Sequence, residues 1–213
     1  MPYVQNRLYY TDEGEGSPVV LVGKGWEEQS RALCAAGHRV VGFDRRSQLP
    51  VEDDVDALAA DLGVLLEQLA LTGCVLAGSS AGTGDVVRYL STHGSARVRK
   101  VALVAGITPF LIRTADNPDG LREADVADIE ARAGRCLGQS GRTDFRADLG
   151  RLDVPVLLMH GDADRLLPID ATAHRLPDLV ADLRYEVIPG GTHDLGRAFP
   201  DLVNRYLLEF ASS

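Results

Sequence analysis

Apolar residues in this chain follow two periods that alternate along its length. Val19-Val20-Leu21-Val22, Val75-Leu76-Ala77 and Val101-Ala102-Leu103-Val104-Ala105 are unbroken apolar runs, the pattern of strands buried on both faces of a sheet. Between the first two, Val55, Leu58, Ala59, Leu62, Leu65, Leu66 and Leu69 step by three and four from Asp54, which predicts an amphipathic helix. Residues 26–36 read as a helix stopped by Gly37, and Arg39-Val40-Val41-Gly42-Phe43 as the next strand, ending at Asp44. Residues 83–92 read as a further helix. The alternation breaks at Gly106 and resumes with the strand pattern of residues 154–160. Between Gly106 and Leu152 the chain is polar, with Pro109, Pro118 and one helical stretch at 122–135. A helix at 169–176, a strand at 183–188 and a terminal helix burying Leu202, Val203, Tyr206, Leu207 and Phe210 complete the pattern. Strands alternating with helices predict an α/β fold with a doubly wound, mostly parallel sheet and sites at the carboxyl ends of its strands. The expectation is one domain, 1–213, with a reduced cap insertion at about 107–150.

The run Val75-Leu76-Ala77 leads into Gly78-Ser79-Ser80-Ala81-Gly82, which fits G-x-S-x-G. Strand, tight turn and helix are the setting in which this motif becomes a nucleophile elbow with Ser80 at its tip. Chance alone yields such a match in roughly 0.07 of chains this long, so the motif needs partners. Two later loops supply them at strand ends: His160-Gly161-Asp162-Ala163-Asp164 and Gly190-Gly191-Thr192-His193-Asp194. Their order is Ser, Asp, His. A serine hydroxyl needs a base to take its proton, and the imidazole that does so needs a carboxylate to fix its tautomer and balance its charge. His193 is preferred over His38 and His93 in helix-end loops, His174 in mid-helix, and His160, read as packing its loop. Asp162 and Asp164 compete for the acid, with Asp164 favoured for its longer reach and Asp194 a distant third.

Composition narrows the partners. The 213 residues carry a net charge of -9 with no basic cluster, which argues against nucleic-acid or anionic-membrane binding. Arg97, Arg99 and Lys100 are the densest basic group and read as a solvated loop. Cys34, Cys74 and Cys136 are odd in number and widely spaced, so they read as free buried thiols, without a disulfide or a zinc site. No membrane-length run or signal pattern appears, which places the chain in the cytoplasm by default.

Taken together, these stretches resemble the α/β-hydrolases, and within them the cofactor-free haloperoxidase/arylesterase branch. The likeness runs nearly the full length, through Phe43-Asp44-Arg45-Arg46, the elbow, Thr143-Asp144-Phe145, the His160–Asp164 loop and Gly191-Thr192-His193. It implies a triad of Ser80, Asp164 and His193, no metal, flavin or nucleotide, and hydrolysis of esters or lactones. Some members make peracids when hydrogen peroxide intercepts the acyl-enzyme. One oxyanion donor would be the N–H of Ala81; the other would come from Lys24, Gly25 or Trp26, with Gly25 and Trp26 preferred. Trp26, Ile107, Phe110 and Leu195 are expected to line the substrate site.

Three departures stand out. The loop after Val22 lacks the usual His-Gly-x-Pro, the loop after Asp44-Arg45-Arg46 lacks Gly-x-Gly-x-Ser, and the cap is short. Ser79 also replaces the bulkier residue common before the nucleophile. The expected function is a serine hydrolase acting on a small, mostly apolar ester or lactone through an acyl-enzyme. A non-catalytic binding module on the same fold is the competing class. Perhydrolase activity is a further alternative, weakened by the missing proline loop. Ser80 in place of an aspartate disfavours an epoxide hydrolase or dehalogenase.

Overall fold

The computed structural model describes residues 3–4, 8–43, 55–133 and 137–213. Strand β1 spans Tyr3–Val4, β2 Leu8–Glu13, β3 Ser17–Val22, β4 His38–Phe43 and β5 Cys74–Ser79. They are followed by β6 Val98–Val104, β7 Val156–Gly161 and β8 Leu183–Ile188. The helices are α1 Glu27–Ala35, α2 Val55–Gln68, α3 Gly82–His93, α4 Glu123–Ala133, α5 Arg146–Leu149, α6 Leu195–Ala198 and α7 Pro200–Ser212. The strands form one sheet in the order β1-β2-β4-β3-β5-β6-β7-β8. β1 and β2 join antiparallel and the rest pair in parallel, so the predicted doubly wound sheet is observed.

The apolar runs of the sequence explain the layering. Alternate residues of β3, β5, β6 and β7 feed opposite faces. Val20, Leu76, Leu103 and Leu158 join one core with Leu62, Leu65 and Leu66 of α2. Leu21, Ala77, Ala102 and Leu157 join the other with Leu33 of α1 and Val203, Leu207 and Phe210 of α7. Strand order reverses between β3 and β5, and the crevice this opens at their carboxyl ends is where such sheets hold their ligands.

The segment between β6 and β7 carries α4, the 3-10 turn Ser140–Arg142 and α5. Val126, Leu137, Phe145 and Leu149 from this segment are buried against the α2/α3 face. Arg142 binds Glu130 and Glu123 along its surface. The helix expected at 169–176 is not formed. Most backbone bonds there span three residues, as in Thr172 N–H to Ile169 O, His174 N–H also reaches back to Ile169 O, and only Ala173–Arg175 is a 3-10 helix. Thr172, at φ -126° and ψ -92°, leaves the helical region in the middle of the stretch and interrupts it despite the apolar spacing. The short α6 was not foreseen. Cys74 is buried and free, with burial pushing its thiol up to about 11; Cys34 is also free but only half-buried. Cys136, Asp54 and the Asp44-Arg45-Arg46 loop lie outside the described residues. Among those described, no helix is long and apolar enough to cross a membrane.

The two late loops meet where β7 and β8 end. A Cβ on Gly161 would lie 2.0 Å from the carbonyl oxygen of Gly191, backbone against backbone. Gly161→Ala is therefore expected to lower unfolding stability by about 3 kcal/mol, read by chemical denaturation, and to pry apart the loops carrying Asp164 and His193.

Candidate active site

The elbow follows from close backbone contact. A Cβ on Gly78 would come within 2.6 Å of the Gly82 carbonyl oxygen, so the strand can turn into α3 only without a side chain there. Ser80 sits at the tip with φ of 51°, the left-handed region that side chains rarely enter. That conformation costs about 1–3 kcal/mol and persists only when neighbours enforce it. Ser80 N–H donates to Val104 O at 3.1 Å. Thr83, fully buried, donates its hydroxyl to Ser80 O at 2.7 Å and accepts from Ile107 N–H at 3.2 Å. Sequence reasoning passed over Thr83, because an Ser/Thr in the first turn of a helix is too common to stand out.

His193 Nε2 lies 3.0 Å from Ser80 Oγ, and its Nδ1 lies 2.9 Å from Asp164 Oδ2. Asp164 is thus the carboxylate that meets the histidine. Its other oxygen, Oδ1, accepts the N–H groups of Leu166 and Leu167, both at 2.9 Å. Burial alone would push the Asp164 carboxyl up. Hydrogen bonds from His160 and His193, attraction to His193 and the Leu167 N–H outweigh it and hold the group well below the usual carboxylate range. Asp162 is exposed and accepts Gly190 N–H instead, at 2.7 Å, and Asp194 is exposed beside His193. The other histidines are engaged elsewhere: His38 with Ser17 O, His93 stacked on Tyr89, His174 paired with Asp170.

A hydroxyl, an imidazole and a buried carboxylate in one hydrogen-bonded line can deprotonate the hydroxyl for attack on an acyl carbon. No protein-family model matches the chain. A Synechocystis protein provisionally described as a non-heme chloroperoxidase is 39% identical over 95% of this chain and 94% of its own length. The chain belongs to the non-heme haloperoxidase branch of the α/β-hydrolase superfamily. A bifunctional esterase/perhydrolase from Acinetobacter calcoaceticus is 25% identical over 97% of the chain and 96% of its own. Among solved structures, a bromoperoxidase from Bacillus anthracis matches with a TM-score of 0.88 at 30% identity, covering 97% of this chain and 95% of that one.

Within this family the chain is short. The Synechocystis pairing runs over 259 positions but takes in 95% of 213 residues, about 202, so about 57 positions have no counterpart here. That shortfall agrees in direction with the trimmed loops of the sequence. Only residues 23–26 separate β3 from α1. Gly23 N–H is tied to Phe43 O at 3.1 Å, and Lys24 O accepts the Ser79 hydroxyl at 3.1 Å. Neither the Gly25 nor the Trp26 amide finds an acceptor among the described residues. Ala81 is the N-cap of α3, where first-turn N–H groups lack helical partners.

The four residues expected to line the substrate site are placed differently from one another. The Trp26 indole is 7% exposed and donates to Val22 O at 3.2 Å, so its polar atom serves the loop. Ile107 lies in the α2/α3 core, where a Cβ on Gly84 would meet both it and Phe145. Leu195 is buried under Gly191 in the opposite core. Only Phe110 is half-buried, beneath the Arg146 guanidinium. Ile107 and Leu195 are both buried, each packed where a glycine leaves room. An open groove of about 480 Å³ runs beside α1, walled by Thr11, Lys24, Gly25, Trp26, Ser30 and Phe43. Neither Ser80 nor His193 is among its walls.

Proposed function

We propose that this chain is a serine hydrolase that cleaves small, mostly apolar carboxylic esters or lactones through an acyl-enzyme. The observation that carries the reading is the unbroken line from Ser80 Oγ through His193 to Asp164, at 3.0 and 2.9 Å. Ser80 attacks the acyl carbon as His193 Nε2 takes its proton. The tetrahedral oxyanion accepts N–H groups from Ala81 and from Gly25 or Trp26. His193 then protonates the leaving alkoxide, and water, activated by the same imidazole, releases the acid. Losing one oxyanion donor would cost about 3–4 kcal/mol of transition-state stabilisation, so the free Gly25 and Trp26 amides matter to the reading.

The test is labelling with a fluorophosphonate probe followed by a panel of short p-nitrophenyl esters. Modification at Ser80 with turnover supports the hydrolase, and an unlabelled protein supports the binding module instead. Hydrolysis should decline as pH falls from 8 to 5, because a protonated imidazole can no longer take the Ser80 proton. Asp164 stays ionised throughout that window, given the direction of its shift, so a flat profile from pH 5 to 8 would sink a histidine base.

A second reading is favoured by the names of the relatives, which include a chloroperoxidase and an esterase/perhydrolase. Hydrogen peroxide in place of water would attack the acyl-enzyme, giving a peracid and restoring the Ser80 hydroxyl. Peracid formed from a carboxylate and peroxide, and lost with Ser80→Ala, distinguishes it from plain hydrolysis.

A further inference from the structure

We infer that His160 is a positioning residue for this relay, holding from inside the fold the Asp164 oxygen that faces His193. The inference rests on the serine-hydrolase reading and deepens it by adding a second imidazole to the triad acid.

His160 belongs to β7 and has no exposed surface. Its Nε2 lies 2.9 Å from Leu167 O and 3.4 Å from Asp164 Oδ2. A carbonyl can only accept, so the tautomer assigned by this contact carries its proton on Nε2. That N–H is given to the carbonyl, and the ring nitrogen also stands within charge–dipole reach of the carboxylate. The Leu167 N–H in turn donates to Asp164 Oδ1 at 2.9 Å. Three contacts therefore close a ring through His160, Leu167 and Asp164. Oδ1 is pinned by backbone, and Oδ2 is held between His193 on one side and His160 on the other.

Packing alone does not account for a histidine here. Its Nδ1 is buried with no hydrogen-bond partner among the described residues, an arrangement that costs free energy and that a phenyl or alkyl side chain would avoid. What the imidazole adds, and a hydrocarbon cannot, is an N–H that ties Leu167 O in place with its positive end beside Asp164 Oδ2. The other charged or titratable groups nearby are turned elsewhere. Asp162 accepts Gly190 N–H, and the 3-10 turn packed on β7 carries His174, paired with Asp170, and Arg175, bound to Phe110 O. His160 therefore acts on the site through Asp164.

The experiment measures kcat, KM and the pH profile of ester hydrolysis for His160→Phe and His160→Gln, with melting temperature alongside. The phenyl ring keeps the volume and loses the N–H, whereas the glutamine amide can present one where Nε2 sits. His160→Phe is expected to lower kcat by about tenfold to a hundredfold, the range that a small misplacement of a catalytic group produces, with KM little changed. Its acid limb should move to higher pH, because a carboxylate with one donor fewer binds the His193 imidazolium more tightly. His160→Gln should recover most of kcat and the original limb. Wild-type kcat and limb in His160→Phe would overturn the inference. So would parallel losses in both variants that track melting temperature with an unmoved limb. A wild-type protein inert to the fluorophosphonate would bring down the hydrolase reading itself, so the two failures are distinguishable.

Discussion

Ser80→Ala is expected to lower kcat for a short p-nitrophenyl ester by about 10⁴-fold or more and to abolish fluorophosphonate labelling. Without Oγ no acyl-enzyme can form, and only the oxyanion donors and simple binding remain to accelerate attack by water. The fold should be indifferent to the change. Ser80 at φ of 51° is strained whether it carries a hydroxyl or a methyl group, and its N–H keeps its bond to Val104 O. Unfolding stability should stay within about 0.5 kcal/mol of wild type, so lost activity cannot be put down to lost structure. Ser79→Ala is the control. Its hydroxyl binds Lys24 O and points to no histidine, so labelling should persist at Ser80. Labelling that followed Ser79 would place the nucleophile one residue early and break the elbow argument.

The elements best foretold were those whose residues are read by the sheet itself. The runs Val19–Val22 and Val101–Val104 had to be buried strands because helices cover both faces, and α2 had to bury the stripe that Leu62, Leu65 and Leu66 form. The elbow was legible because its chemistry is local: a serine at the centre of a turn flanked by Gly78 and Gly82. The acid was less so. Residue reasoning left Asp162 and Asp164 two to one, since both follow the same strand, and only loop geometry shows that the Leu166 and Leu167 amides draw Asp164 inward while Gly190 holds Asp162 at the surface. The residues at 169–176 carried helical spacing that the non-helical backbone of Thr172 interrupts. Ile107 and Leu195 were hard to place for a different reason. An apolar residue beside a catalytic loop can face ligand or core, and Gly84, against which Ile107 packs, lies on a different element well before it in sequence. His160 was read as loop packing. Its contact with Asp164 spans four residues that are not helical, a distance no periodicity encodes.

Asp164→Asn tests the other end of the relay and should cost about 10⁴-fold in kcat with little loss of shape. The reason lies in the donors already in place. Leu166 and Leu167 N–H groups face one oxygen, and His193 and His160 face the other. A carboxylate accepts from all of them. An amide has one acceptor end and one donor end, so in either orientation its NH₂ meets groups that also donate. With the oxygen toward Leu166 and Leu167, the NH₂ confronts His193 and favours the tautomer protonated on Nε2. That nitrogen then donates toward Ser80 Oγ and can no longer take its proton. Stability should change in a pH-dependent way. The wild-type carboxyl is shifted below its ordinary value, so its contribution is present above about pH 4 and is lost as pH falls through the lower folded-state value. The stability gap between wild type and Asp164→Asn should therefore be widest near neutrality and narrow in strong acid, as measured by denaturant unfolding from pH 2 to 7. A gap that stayed constant across that range, or an Asn variant with near wild-type kcat, would show that Asp164 does not act on His193 as an ionised partner.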